Sequence, residues 1–593
     1  MRCFFLLCFC FLTNIGLFAQ SEQLAKNYMN QGEYEKALKT YEQLVKNDPR
    51  NQLYFFGLIN SYQQLEDFTV AEKLLQEKLS ASNNPIYLIE LGHNLELQKL
   101  NEKANSYYEK ALVTIAQNVN YSYSLARSFE KYSLLDYAEK AYKNGMAGNS
   151  MMRFEIPLAR IYGEQGKLDQ MFEAFLALIE KEPELSTTII REFDWYITND
   201  ASNEANLILK KAILQRLQQN QGIVFTEILS WLFIQQKDFN KAFVQEKAIY
   251  KRGNKNLQRI IQLAVISRSE EDLETSKEVL EFIIGEDPPG NILLQAKQLL
   301  LNMKVQTASK KEYEEIAKDF DLVLEEFGNG EETLSIQIDR ANFIAFQLEN
   351  VKKAEDLLLE LAARTNSNYQ LASVKMALAD ILVIAQKFNQ ALINYSQVQN
   401  LVKNDELAQE ARYKVAKTSY YKGDFEWAKS QLDVLKASST QLIANNALEL
   451  SLLIQENSLE DSTQAALKLY AHADLLIFQN KKEAAIKILE ELLQQHKGDK
   501  IEDEALLKQA ALYVELQQYE KAETNYLKIL EYYPDDILGD NATYLLADLY
   551  NGPLGKPEKA KDFYEQIIFN YADSIYFVDA RNKYRSLRGD LPD

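Results

Sequence analysis

Cysteine is nearly absent from this 593-residue chain: Cys3, Cys8 and Cys10 are the only three, and all fall in the first ten residues. Past Cys10 there is no disulfide and no cysteine metal site to build a fold on. Histidine is as scarce, with only His93, His472 and His496. They are far apart and none sits in a His-Glu-x-x-His motif, so no metal site is expected. Proline (10) and glycine (20) are too few for a turn-rich β-architecture, and no Asn-Gly or Asp-Gly hairpin signal with alternating apolar residues occurs. Positive charge is also in deficit. Sixty-six basic residues face 86 acidic ones, a net charge of −20, which repels phosphates and excludes nucleic acid as an expected partner. Gly-x-Ser-x-Gly is missing. The stretch GPLGK at Gly552–Lys556 has the wrong spacing for a phosphate loop and runs into Pro557. These absences predict a protein that is not an enzyme and holds no cofactor.

What is present begins with a leader. MRCFFLLCFCFLTNIGLFAQ has a positive Arg2, an apolar run and a small residue at Ala19, the layout of a secretory signal peptide over residues 1–19. The run is interrupted by Thr13 and Asn14 and falls short of the ~20 apolar residues a spanning helix needs. Neither Cys8 nor Cys10 follows a small residue, so lipidation is not expected. Arg2 is the only charged residue of the leader, and cleavage would leave −21. The ending FAQ resembles exported proteins of the Bacteroidetes. Export to the periplasm or the periplasmic face of the outer membrane is the expected localisation.

The rest of the chain repeats itself. GEYEKALKTYEQLVKNDP at 32–49 returns as QQYEKAETNYLKILEYYPDD at 517–536. With Ala37 as marker, equivalents follow at Ala71, Ala104, Ala138, Met171, Ala205, Ala242 and Ser276, mostly 33–34 residues apart. After Ile316 they resume at Ala354, Ala391, Ala428, Ala485, Ala522 and Ala560, mostly 37–38 apart. The 57-residue step after Ala428 predicts an extra helix near Ile443–Gln455. Each unit reads as two apolar stripes of helical spacing around a short turn, with small residues allowing close approach and aromatics filling between hairpins. Gly32, Gly166 and Gly423 fall in the turn, where helix C-termini favour glycine.

This pattern resembles the tetratricopeptide repeat family. The resemblance implies an all-α fold, a right-handed superhelical solenoid of antiparallel helix pairs. Changes of period suggest an N-terminal array over 20–290, an irregular helical junction over 291–353 containing the acidic run EEFGNGEE, and a C-terminal array over 354–593. The last ninety residues, with Tyr, an aliphatic pair and Tyr-Pro before Ala and Tyr, resemble repeats of bacterial envelope proteins. Those are the outer-membrane-protein assembly lipoproteins and the periplasmic Tol–Pal coordinator. This chain departs from the former in lacking a lipid-bearing cysteine.

Two constellations are candidate binding sites. Eleven residues before the first five markers stand Lys26, Asn60, His93, Arg127 and Arg160. In the family this phase of the first helix faces the inner wall, so the resemblance implies a row of donors along one groove. Asn120, Tyr123 and Arg153 fall at neighbouring groove phases. The row resembles the clamps that hold a peptide carboxylate. It predicts a locally positive stripe for a protein or peptide partner, engaged through a C-terminal carboxylate or an acidic segment. The second is Tyr413, Lys417, Tyr420 and Tyr421, whose i, i+4, i+7, i+8 spacing gathers them on one helix face. If their rings are open to solvent they suit a glycan. If buried, they are packing. The expected function is an exported, non-catalytic scaffold binding protein or peptide partners in an envelope assembly, in association with outer-membrane components. The alternative is a glycan- or cell-wall-binding accessory protein.

Overall fold

A computed structural model describes residues 21–219, 222–253, 255–436, 440–458, 464–533 and 538–589. The leader and its cysteines lie outside the described residues. Among these, the regular structure is helix, without strand, and no helix is long and apolar enough to cross a membrane.

The chain forms two compact units, the first ending at Val279 and the second beginning at Leu280. In the first, the helices follow as α1 (21–30), α2 (Tyr34–Asn47), α3 (Gln52–Gln64), α4 (Phe68–Ser82), α5 (Ile86–Leu97), α6 (Asn101–Gln117), α7 (Ser122–Lys131) and α8 (Leu135–Gly148). They continue as α9 (Glu155–Glu164), α10 (Leu168–Lys181), α11 (Ser186–Phe193), α12 (Glu204–Gln219), α13 (Ile223–Gln235), α14 (Phe239–Arg252), α15 (Gln258–Ser269) and α16 (Leu273–Gly285), the last running past the boundary. In the second come α17 (Gly290–Thr307), α18 (Tyr313–Phe327), α19 (Leu334–Phe346), α20 (Val351–Arg364), α21 (Asn368–Ile384), α22 (Phe388–Leu401), α23 (Glu406–Lys422) and α24 (Phe425–Leu435). These are followed by α25 (Gln441–Ser458), α26 (Ala465–Phe478), α27 (Lys482–Gln495), α28 (Glu502–Glu515), α29 (Tyr519–Tyr532), α30 (Gly539–Asn551), α31 (Pro557–Asn570) and α32 (Phe577–Arg588). The extra helix in the 57-residue step is α25, and it packs on α23, α24 and α26. The run EEFGNGEE closes α18 and enters a loop inside the second unit. Thr333 donates its hydroxyl to the Gly328 carbonyl (2.7 Å) and Gln337 its amide to the Gly330 carbonyl (3.0 Å).

The markers explain the pairing. Ala37, Ala71, Ala138, Ala354, Ala391, Ala428, Ala485, Ala522 and Ala560 are all fully buried on the second helix of a pair. Against them lie the small residues of the first helices: Ala25, Ala126 and Ala159 are fully buried, and a Cβ on Gly92 would sit 2.3 Å from Tyr108 Cε1. Tyr108 and Tyr142 each stand four residues past a marker. They fill the space and donate their hydroxyls to Glu96 (2.8 Å) and Glu130 (2.6 Å).

Most turns between paired helices share one backbone solution. Five residues before a marker the chain enters the left-handed region, at Gly32, Gly166 and Gly423. It does so equally at Glu66, Lys99, Ser133, Lys237, Glu271, Gln386, Asn480 and Gln517. The next amide reaches back to the last turn of the helix, as Leu100 N–H does to the Leu95 carbonyl (3.0 Å) and Lys167 N–H to the Tyr162 carbonyl (2.8 Å). This is the Schellman closure, which satisfies carbonyls a helix end otherwise leaves open.

In the second unit a further contact ties one repeat to the next. Asp380 accepts the Tyr395 hydroxyl (2.5 Å) and Lys414 from the following first helix (2.8 Å). Asp548 accepts the Tyr564 hydroxyl (2.5 Å) and Lys583 (2.9 Å).

Candidate functional site

The ladder of the first unit lies on α1, α3, α5, α7 and α9. One residue before each rung is a buried contact: Ala25, Ile59, Gly92, Ala126 and Ala159. A step of one residue turns the side chain by ~100°, away from that contact, so Lys26, Asn60, Arg127 and Arg160 are exposed and His93 is half-buried.

The ladder's charges are already answered within the chain, which corrects the expectation of a positive stripe. Lys26 Nζ lies 2.6 Å from Glu22 Oε1. Arg127 pairs with Glu130, one turn along α7. Arg160 makes a two-pronged bond to Glu192 of α11, Nε to Oε2 at 2.7 Å and Nη2 to Oε1 at 2.5 Å. Arg153 is exposed and pairs with Glu182, with Glu155 at 3.6 Å. Asn120 is exposed, and Tyr123 is exposed with its ring 6.0 Å from that of Phe154. The physical reason is proximity across the 29–32-residue step: an acid on the next repeat faces each of Arg153 and Arg160. A carboxylate approaching this face meets balanced ion pairs rather than free cations.

His93 departs from the pattern. Its ring stacks on Tyr132 at 3.8 Å between centroids, and its buried Nδ1 has no hydrogen-bond partner. Burial, the largest influence, holds the imidazole below its ordinary range against the opposing pull of Glu90 and Glu96. The Tyr132 hydroxyl donates to Glu90 (2.6 Å), and Lys131 approaches the same carboxylate at 3.3 Å. Glu90 is only 2% exposed. Glu90, Lys131 and Tyr132 were not expected from the sequence. They occur in one repeat only, and a search for periodic features passes over what does not recur. The i, i+3 spacing of Glu90 and His93 was the available signal.

The second patch is not an open aromatic platform; of the two arrangements weighed for it, the buried one is found. Tyr420 is fully buried, and Tyr413 and Tyr421 pack half-buried against the core of the second unit. The cause is the helical spacing itself: Tyr420 lies on the face of α23 that meets Phe425 (5.7 Å between centroids). Lys417 is half-buried with its Nζ 6.0 Å from the Tyr421 ring centre. Among the described residues no group of three or more His, Cys, Asp or Glu side chains is arranged to hold a metal ion.

Comparison with known proteins matches this geometry to a repeat type. Two tetratricopeptide repeat models match, one over residues 23–85 and the other over 504–536 and 541–574. No curated protein matches the chain. Among solved structures, Naa15/Naa10 bound to HypK-THB is 13% identical over 97% of this chain and 94% of that one, with a TM-score of 0.30. The APC/C hetero-tetramer Cut9–Hcn1 is 13% identical over 96% of each chain, with a TM-score of 0.25. The repeat models thus place tetratricopeptide repeats at residues 23–85 of the first unit and at 504–536 and 541–574 of the second.

Proposed function

We propose that this chain is an exported, non-catalytic scaffold that binds a protein or peptide along the first-helix stripe of its first unit, within a bacterial envelope assembly. The observation that carries the binding reading is the exposed row Lys26, Asn60, Arg127 and Arg160, held in register by buried neighbours one residue away. Its balanced ion pairs are set by the fold before a partner arrives, which lowers the ordering cost of binding. The partner is an extended segment with alternating charge, exchanging its acids and bases for those of Glu22, Glu130 and Glu192. Export rests on the leader pattern of residues 1–19 and on a chain free of cysteine after Cys10. An envelope role rests on the resemblance of the last repeats.

Cross-linking and affinity purification from the native envelope tests both parts. The wild-type chain is expected to lose residues 1–19, fractionate with the periplasm or outer membrane, and capture a dominant partner. Arg127→Ala with Arg160→Ala is expected to lose that partner at unchanged helicity. Equal capture by the double variant rejects the stripe. Recovery from the cytosol with the leader intact rejects export.

A further inference from the structure

Asparagine precedes glycine three times, at Asn144–Gly145, Asn329–Gly330 and Asn551–Gly552. Such a pair holds a latent reaction. The glycine amide nitrogen can attack the asparagine side-chain carbonyl carbon, and glycine has no Cβ to obstruct the approach. The attack needs a backbone nitrogen that is free to lose its proton, and here the three pairs differ. Asn144 and Gly145 lie inside α8, where the amides belong to the helix ladder. Gly145 is also packed so closely that a Cβ on it would sit 2.4 Å from Ser122 Oγ. Gly552 N–H donates to the Asp548 carbonyl (2.9 Å). Gly330 lies in the loop between α18 and α19, and its N–H donates no hydrogen bond among the described residues.

The surroundings of Gly330 favour the reaction further. The exposed Asn329 offers its backbone carbonyl to Arg364 Nη1 (3.2 Å). That carbonyl and the Gly330 nitrogen belong to one amide. A guanidinium on its oxygen draws electron density from the nitrogen and stabilises the anion left when the proton goes. Arg364 is available for this, because its other described bond is to the neutral Gln337 Oε1 and no described carboxylate lies within 4.0 Å of it. The Gly330 carbonyl accepts Gln337 Nε2 (3.0 Å) and Thr333 Oγ1 (3.2 Å). The oxygens on both sides of the Gly330 nitrogen are therefore anchored while the nitrogen itself is open. Asn329 and Arg364 line a recess of about 140 Å³ with Leu324, Gln337 and Leu361, which leaves room for water. Glu325, Glu326, Glu331 and Glu332 of the same stretch oppose the developing anion, and Arg364 offsets them at the reacting amide.

We propose that Asn329 is a site of spontaneous covalent modification, converting through a succinimide to aspartyl and isoaspartyl linkages. The Gly330 nitrogen gives its proton to water and bonds to Asn329 Cγ. The Cγ–Nδ2 bond breaks, and the amide nitrogen takes up a proton and leaves as ammonia. Water then adds to either ring carbonyl and reopens the ring. Water is the sole co-reactant, nothing is oxidised or reduced, and each event adds one negative charge. The new carboxylate appears beside Arg364, a guanidinium that has none. The isoaspartyl product also lengthens the backbone by one carbon and displaces the Gly330 carbonyl from Gln337 and Thr333. The site is independent of the first-unit stripe.

Peptide mapping by mass spectrometry tests this on the full-length protein, incubated folded in mildly alkaline heavy-oxygen water so that the incorporated oxygen marks conversion during the incubation. Asn329 is expected to convert at least about tenfold faster than Asn144 and Asn551, the worth of one backbone hydrogen bond that need not be opened. Both aspartyl and isoaspartyl peptides are expected from it. Gly330→Ala is expected to suppress conversion with helicity and melting unchanged, since its Cβ meets no atom within 4 Å. Arg364→Met is expected to slow it at least about threefold, a fraction of one charge-assisted hydrogen bond. Conversion at Asn329 no faster than at Asn144 and Asn551 overturns the proposal, as does an undiminished rate in Gly330→Ala. An equal or faster rate in Arg364→Met overturns the activation by the guanidinium.

Discussion

Gly166 offers a clean measurement of what a repeat turn costs. It sits at a φ of +74°, and a Cβ added there meets no atom within 4 Å. Gly166→Ala therefore changes the backbone term alone. A non-glycine residue in the left-handed region costs ~1–2 kcal/mol. Removing glycine's freedom from the unfolded chain returns ~0.4–1 kcal/mol. The net expectation is a loss of about 0.5–1 kcal/mol in the closure of α9 on α10. Lys99, at a φ of +63° in the equivalent turn, reverses the comparison, and Lys99→Gly should gain a similar amount. Repeat arrays open locally, so amide hydrogen exchange is the suitable assay. The Lys167 amide, bonded to the Tyr162 carbonyl, should exchange about two- to fivefold faster in Gly166→Ala. The Leu100 amide should slow by a similar factor in Lys99→Gly. Gly92→Ala serves as contrast, since its Cβ collides with Tyr108 and should cost about 1–3 kcal/mol by overpacking. Faster exchange at Leu100 in Lys99→Gly would refute the reasoning, because it would mean the side chain at the turn contributes more than its backbone strain removes.

Asp380→Asn should weaken the second unit by about 2–3 kcal/mol in urea titration, because it deprives both the Tyr395 hydroxyl and the half-buried Lys414 of a charged acceptor. Lys352→Ala, which breaks an exposed pair with Asp356, should leave the midpoint unchanged. His93 makes the first unit sensitive to acid. Its folded value is depressed, so the unfolded chain takes up the proton first. The stability contributed by the neutral ring is present above the ordinary histidine value of about 6.5 and is lost as pH falls through the lower folded value. His93→Phe, which keeps the stack on Tyr132, should flatten exchange protection of α5 and α7 across that window.

How far the sequence reached depends on what repeats. The markers were legible because burial demands a small residue at the same phase each time: Ala37 and Ala560 are both fully buried, with more than five hundred residues between them. The turn was legible only at Gly32, Gly166 and Gly423. Elsewhere helix packing imposes the left-handed corner on Glu66, Lys99 or Gln517, whose chemistry announces nothing. The ladder's positions were readable from periodicity, but its neutralisation was not. Glu192 reaches Arg160 from the next repeat, and no local spacing links them. Tyr413, Lys417 and Tyr421 were singled out as one helix face. That Tyr420 turns inward, its hydroxyl 3.3 Å from Asp474 of α26, depends on the depth of packing between repeats.

The left-handed corners have one more consequence. Glu66, Lys99, Ser133, Lys237, Glu271, Gln386, Asn480 and Gln517 all project into solvent. Their backbone shape is dictated from beneath while their side chains stay out of the buried packing, Lys237 holding only the exposed Glu270. Residues there are at liberty to drift between acid, base and amide, so the chain can retune its electrostatic skin, and with it its solubility, without renegotiating its interior.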